Sequence, residues 1–226
     1  MYANFFKRLI DFTLSLAALL VLSTLLLILI VLGAVKMKGN PFFTQLRPGK
    51  DEKIFKLIKF RSMTCETDEE GNLLPDAQRM TRYGQLLRAS SLDELPELLN
   101  ILKGDMALVG PRPQLVRDMV FMTEDQRRRH RIRPGLTGLA QVSGRNNITW
   151  EQKLQYDLTY LDSGITLFGD IKILLMTVFK VFKREDIVRE GTVSDMDFGD
   201  WLLQKGDVTK EEYDLRQEEA KKLMGV

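Results

Sequence analysis

A chain of 226 residues with 44% apolar and 28% charged content is long enough for one folded domain plus appendages, and too apolar to default to disorder. Lys+Arg 33 against Asp+Glu 31 leaves a net charge of +2, which excludes a global nucleic-acid footprint. The single cysteine, Cys65, excludes an internal disulfide and a cysteine-based zinc site and fits a reducing compartment. The single histidine, His130, makes a His-based triad a poor fit, so any metal would be a hard cation on oxygen ligands.

Residues 1–11 form a short basic, amphipathic lead. Phe12–Val35 is then almost wholly apolar and exceeds the roughly 20 residues needed to cross a bilayer. It is too long for a signal-peptide core, and no A-x-A-like cleavage site follows. A membrane segment is therefore expected within residues 1–40. Lys7 and Arg8 precede it, and Lys36, Lys38, Arg47 and Lys50 follow, so the positive-inside rule finds little asymmetry. Two topologies stay open: an ordinary spanning helix, or one that dips in and returns. Ser23-Thr24 could bend the second, through hydroxyls bonding back to the preceding turn.

After Asn40-Pro41 the chain becomes soluble in character. Phe42–Leu46 reads as a strand, Arg47-Pro48-Gly49-Lys50 as a type II turn and Lys53–Met63 as a second strand, giving a short β-hairpin. Lys59 and Arg61 share one strand face and could reach a phosphate, although a solvated face is the commoner explanation. Residues 64–78 read as an acidic loop. Met80–Ala89 resumes a helical pattern that carries Arg82 and Arg88.

Ser90–Pro113, SSLDELPELLNILKGDMALVGPRP, is the stretch that suggests chemistry. Leu95, Leu98, Leu99 and Leu102 make one apolar helix face. The start is ambiguous: Ser91 with Glu94 spells a capping box, whereas Pro96 favours a later start. Either way Asp93 and Glu94 lie near a helix N-terminus, where the dipole would keep Asp93 ionised. Simple capping is the commoner explanation for such residues. Gly110-Pro111-Arg112-Pro113 fixes one arginine between two prolines, a geometry suited to phosphate or carboxylate.

Leu115–Thr123 and Glu124–Arg133 read as helix. The basic cluster Arg127-Arg128-Arg129-His130-Arg131 is either a solvated face or a partner for anionic lipid headgroups, and nucleic acid is the weaker reading without interleaved aromatics. His130 reads as structural. Residues 133–147 are glycine-punctuated without dinucleotide or P-loop spacing, and read as a loop positioning Gln141, Arg145 and Asn146. Trp150–Tyr160 is helical. Phe168–Arg184 is a core helix or one lying in a membrane interface with snorkelling lysines. Thr209 with Glu212 caps a last helix that Gly225 could close. Its narrow apolar stripe reads as peripheral or partner-facing, not core.

FKRLIDFTLSLAALL, FTQLRPG, IFKLIKFRSM, the Ser90–Pro113 stretch and RHRIRPGLTGLAQVSGRN occur in one order from Met1 to about Thr192. Together they resemble the bacterial sugar transferase family, the small monotopic phosphoglycosyl transferases, including those using diacetylated bacillosamine. The resemblance implies an α+β fold: a mostly helical compact domain with a short β-hairpin, on an N-terminal re-entrant membrane helix. It implies a membrane helix over 1–40 and a catalytic domain with interfacial helices over 41–192, and the helical extension read over 193–226 falls outside it. It further implies transfer of a sugar-1-phosphate from a UDP-sugar to undecaprenyl phosphate with release of UMP, the first membrane step of glycoconjugate biosynthesis.

By the same resemblance Asp93 is the covalent nucleophile, and Glu94 positions the metal or handles protons. Mg²⁺ is held by Asp93 and Glu94. Arg88, Pro111, Arg112 and Pro113 form the phosphate-binding set, with Lys59, Gln141 and Arg145 lining the pocket. Implied partners are membrane lipids and downstream glycosyltransferases, at the cytoplasmic face of the bacterial inner membrane. Two departures stand out. Ser23-Thr24 lacks the family's proline, and Leu139 stands where tryptophan is common. A catalytically silent assembly platform, or a phosphotransferase with another lipid or nucleotide, are the rival functions.

Overall fold

The computed structural model describes residues 2–144, 148–183 and 196–225. A π-helical turn, Tyr2–Phe6, leads into α1 (Lys7–Val21) and α2 (Ser23–Lys36). These two meet at Leu22 with a bend of 67°, and together they are long and apolar enough for a membrane segment. No single helix among the described residues is. The bend falls beside Ser23-Thr24 as expected, but not by the expected device. Neither hydroxyl makes a hydrogen bond among the described residues, and the break lies in the backbone of Leu22 at ψ 4°. Polar groups moor α1 to the domain. Lys7 Nζ pairs with Asp170 at 2.6 Å, Arg8 Nη2 donates to Leu102 O at 2.8 Å and Asp11 accepts from Leu108 N at 3.2 Å.

β1 (Phe42–Pro48) and β2 (Ile54–Phe60) pair antiparallel, from Phe42↔Phe60 to Pro48↔Ile54. The hairpin is as expected, but its turn is not. Arg47 and Pro48 still belong to β1, and the chain reverses over 49–53, with left-handed φ of 53° at Asp51 and 59° at Glu52. The loop that follows contains a single helical turn, α3 (Asp76–Arg79), before α4 (Arg82–Ala89). Thr81 Oγ1 caps α4 by accepting from Gly84 N at 2.9 Å. Gly84 is required for close packing: a Cβ there would lie 1.8 Å from Ser62 O.

Leu92–Glu94 forms one 3-10 turn, and α5 (Glu97–Lys103) starts immediately after Pro96. The later start is therefore the one adopted. Ser91 sits at φ 56° and its side chain caps nothing. Asn100, fully buried, ties α5 to β2 by accepting from Ile58 N at 3.0 Å and donating to Lys56 O at 2.8 Å. β3 (Ala107–Val109) follows.

The helices expected over Leu115–Thr123 and Glu124–Arg133 shorten to single turns: α6 (Val116–Met119), α7 (Glu124–Arg127) and a 3-10 turn over Arg128–Arg131. A new capping box at Thr123 with Gln126 restarts the helix, and residues 118–122 are buried on every side, which a one-faced helix cannot be. The glycine-rich stretch expected to be a loop holds β4 (Gly135–Thr137), parallel to β3, and α8 (Leu139–Ser143). α9 (Trp150–Asp162) and α10 (Leu167–Lys183) follow. α10 is not a core helix: Ile173 and Asp170 are buried, but Phe168, Leu175, Val178 and Phe179 are exposed.

α11 (Phe198–Lys205) and α12 (Lys210–Met224) complete the chain. Thr209 caps α12 and Gly225 closes it at φ 74°, as expected. Its expected peripheral position is corrected. Ala220 is fully buried, and Tyr213 and Met224 pack with it on Val120, Phe121 and Trp150.

Candidate functional site

β2, the 3-10 turn Leu92–Glu94, the end of α4 and the turn after β3 converge on one point. β2 brings Lys59, the 3-10 turn brings Asp93 and Glu94, and α4 brings Arg88. The 110–113 turn brings Arg112. Lys59 Nζ donates to Glu94 Oε1 at 2.8 Å, and Arg112 Nη2 donates to the same oxygen at 2.7 Å. Arg88 Nε donates to Ser62 Oγ at 3.1 Å, and its charge acts on Asp93.

The turn carrying Arg112 is held from behind. Pro111 O accepts from Gly135 N at 2.9 Å, and Gly110 N donates to Thr137 O at 2.9 Å. An added Cβ on Gly135 would lie 2.1 Å from Gly110 N, so only glycine permits this approach of β4 to the turn. Arg129 Nη2 donates to Arg112 O at 2.6 Å while pairing with Asp157 Oδ2 at 2.7 Å. Pro111 and Pro113 are buried, so the backbone of Arg112 is fixed on both sides.

The basic cluster is thereby reassigned. Arg129, 1% exposed, belongs to the support of Arg112. Arg127 pairs with Glu52, and Arg128 with Asp125 and Asp162. Arg127, Arg128 and Arg129 thus have carboxylate partners inside the protein, whereas Arg131 is exposed. His130 is buried beside Glu52 and is structural, as expected.

Electrostatics separate the two carboxylates. Burial pushes Glu94 upward, but Arg112 and Lys59 more than offset this, leaving it well below the usual carboxylate range. Asp93 moves the other way. Burial and the charge of Glu94 raise its carboxyl against the pull of Lys59, Arg112 and Arg88. The expectation that a helix N-terminus lowers it is thus reversed, because α5 begins only at Glu97. Asp93 makes no hydrogen bond or ion pair among the described residues.

Sequence reasoning missed Glu97. It is 2% exposed, and Lys59 Nζ lies 3.1 Å from its Oε1. Burial pushes its carboxyl up to about 7 despite Lys59. Its position one helical turn beyond the Asp-Glu pair was the available signal. Gln141, on α8, donates to Leu136 O at 3.2 Å and its buried Oε1 has no partner. Among the described residues no hydrogen bond joins it to the carboxylates. Arg145 and Asn146 lie outside the described residues.

Among the described residues no cluster of three or more His, Cys, Asp or Glu stands ready for a metal ion. Mg²⁺ often binds through one or two carboxylates together with substrate phosphates. The unengaged oxygens of Asp93 fit that pattern. Glu94 Oε1 is already engaged by two cations.

Fixed cations thus surround a carboxylate pair, and one of the pair is left unengaged among the described residues. Residues 2–184 match the bacterial sugar transferase family, and the chain belongs to it. Its relatives include an uncharacterized sugar transferase, EpsL, of Bacillus subtilis, 48% identical over 188 residues, which are 83% of this chain and 93% of that protein. A UDP-glucose:undecaprenyl-phosphate glucose-1-phosphate transferase of Caulobacter vibrioides is 39% identical over 76% of this chain and 68% of its own. One of the same name from Klebsiella pneumoniae is 38% identical over 78% of this chain and 40% of its own. The chain thus spans nearly all of the first relative and less than half of the last.

Proposed function

We propose that this protein transfers a sugar-1-phosphate from a UDP-sugar to undecaprenyl phosphate, through a covalent phosphosugar on Asp93, and releases UMP. The relatives' names support the overall reaction. The single observation that carries the mechanism is the unengaged Asp93 carboxylate beside a Glu94 held by Lys59 and Arg112.

In the first step an Asp93 oxygen attacks the phosphorus that bears the sugar. The bond from that phosphorus to the bridging oxygen breaks, and UMP leaves with the electron pair. In the second step an oxygen of the lipid phosphate attacks the same phosphorus, forming the lipid diphosphate-sugar and releasing the Asp93 carboxylate. Splitting the transfer in this way is covalent catalysis by a carboxylate. A raised pKa makes Asp93 a more basic attacking group. Arg112 and Arg88 hold phosphate oxygens and offset the repulsion of anion by anion. Pro111 and Pro113 keep Arg112 in place. Lys59 neutralises Glu94, while Gln141 and Arg145 serve the sugar or nucleotide end. Mg²⁺, held by Asp93 with Glu94 nearby, would supply further neutralisation of the diphosphate.

The exposed apolar faces of α1, α2 and α10 support seating in a membrane. The 67° bend, with Lys7 moored to Asp170, supports a helix that enters and leaves by the cytoplasmic face. There the site meets both a soluble nucleotide-sugar and a lipid phosphate.

The test is UMP release by the detergent-purified chain with undecaprenyl phosphate and a panel of UDP-sugars. One donor supports turnover, and Asp93→Asn lowers its rate by about 1,000-fold or more. Equal rates in the two proteins would overturn the assignment.

A further inference from the structure

Glu97 begins α5 and is 2% exposed. A carboxylate so deep requires a partner. Lys59 Nζ supplies it at 3.1 Å, and the same ammonium donates to Glu94 Oε1 at 2.8 Å. Arg112 reaches that Glu94 oxygen at 2.7 Å. Carboxylates and cations therefore alternate: Glu97, Lys59, Glu94, Arg112. The charged groups facing Glu97 are Lys59, Glu94 and Arg112, and Arg47 feels its charge from β1.

Lysine is a point charge on a flexible stem, and one carboxylate alone does not fix it. Asp93 also acts on Lys59 electrostatically and is an alternative partner within the same group. Were Lys59 to swing to Asp93, the unengaged carboxylate would be masked. Glu97 opposes that movement from a rigid base. Asn100, one turn further along α5, locks the helix to the backbone of β2 on either side of Leu57.

We propose that Glu97 is a positioning residue of the transfer reaction: it pins Lys59 against Glu94 and so leaves Asp93 open to the substrate. The inference rests on Asp93 as the attacking group. Glutamine at 97 keeps an acceptor oxygen for Lys59, whereas alanine removes it.

The experiment is a double-mutant cycle on UMP release, with Glu97→Ala, Lys59→Met and the pair, alongside Glu97→Gln. Melting midpoints are read on every protein. Glu97→Ala lowers kcat by about tenfold to 100-fold with donor KM nearly unchanged, as expected for misplacement rather than lost binding. Glu97→Gln recovers most of the loss. In the Lys59→Met background, adding Glu97→Ala changes kcat by less than about threefold, because the lysine it positions is gone. If the Glu97→Ala chain fails to fold, Glu97→Leu fills the space and serves the same cycle. Losses that multiply, or a rise in KM alone, overturn the inference while leaving the proposed reaction standing. No UMP from the wild-type chain with any donor overturns both.

Discussion

Glu94 accepts from Lys59 and Arg112 through one oxygen, and Asp93 beside it accepts from no group among the described residues. Adjacent residues thus carry opposite electrostatics, one stabilised as an anion and one pushed upward. Arg112 is central to that contrast. Arg112→Lys keeps the charge but loses the planar fork, and we expect UMP release to fall by about 100-fold with the melting midpoint little changed. His130 carries a prediction of another kind. Burial first, then Arg129 and Arg127, push it down to about 3 from 6.5. The unfolded chain therefore binds the proton that the folded chain refuses, so stability present above pH 6.5 is lost as pH falls towards 3. Denaturation midpoints followed across that window should show a slope approaching about one proton, reduced in His130→Gln. At this scale Asp93, Glu94, Arg88 and Arg112 were legible in the sequence, because charges fixed by turns and prolines announce themselves. Glu97 and Arg129 were not. Their meaning depends on partners 38 and 28 positions away, Lys59 and Asp157, that no local pattern names.

The elements were legible where periodicity is long. The hairpin, α4 and α9 follow from pattern, and the α5 start after Pro96 is one of the two starts that the sequence left open. β3 and β4 did not, since three-residue strands carry no usable alternation, and their pairing depends on glycines at 110 and 135. The break between α1 and α2 also lacks a sequence cause as strong as proline. A re-entrant path puts both ends of the pair on one side. Single cysteines at positions 4 and 38, in a Cys65→Ser background, should react with an impermeant maleimide only from the cytoplasmic side of vesicles. Labelling of one end from each side would make α1 and α2 a spanning segment. α12 gives a stability prediction. Ala220 is fully buried among Val120, Phe121 and Trp150, so Ala220→Leu should overpack the cluster and cost about 1–3 kcal/mol by denaturant melt.

At the scale of the whole molecule, α11 and α12 lie beyond residues 2–184, which match the family, yet they pack into the core cluster of Val116, Val120, Phe121 and Trp150. Asp118 Oδ1 accepts from Phe198 N at 2.9 Å and Arg216 Nη1 donates to Val120 O at 2.6 Å. The sequence disguised this, because a helix so rich in charge shows only a narrow apolar stripe, of which Tyr213, Ala220 and Met224 pack on the core while Leu223 stays exposed. The bent α1–α2 pair, the carboxylate pair and these C-terminal helices belong to one chain fold, in which we propose Asp93 as the reactive centre. The measurement that tests this most directly is intact mass spectrometry of the purified chain, incubated with Mg²⁺ and each UDP-sugar in the absence of lipid acceptor. The account predicts a gain of one phosphosugar, absent in Asp93→Asn and cleared when undecaprenyl phosphate is added. UMP release in the presence of lipid, with no adduct formed in its absence and Asp93→Asn still active, would contradict it.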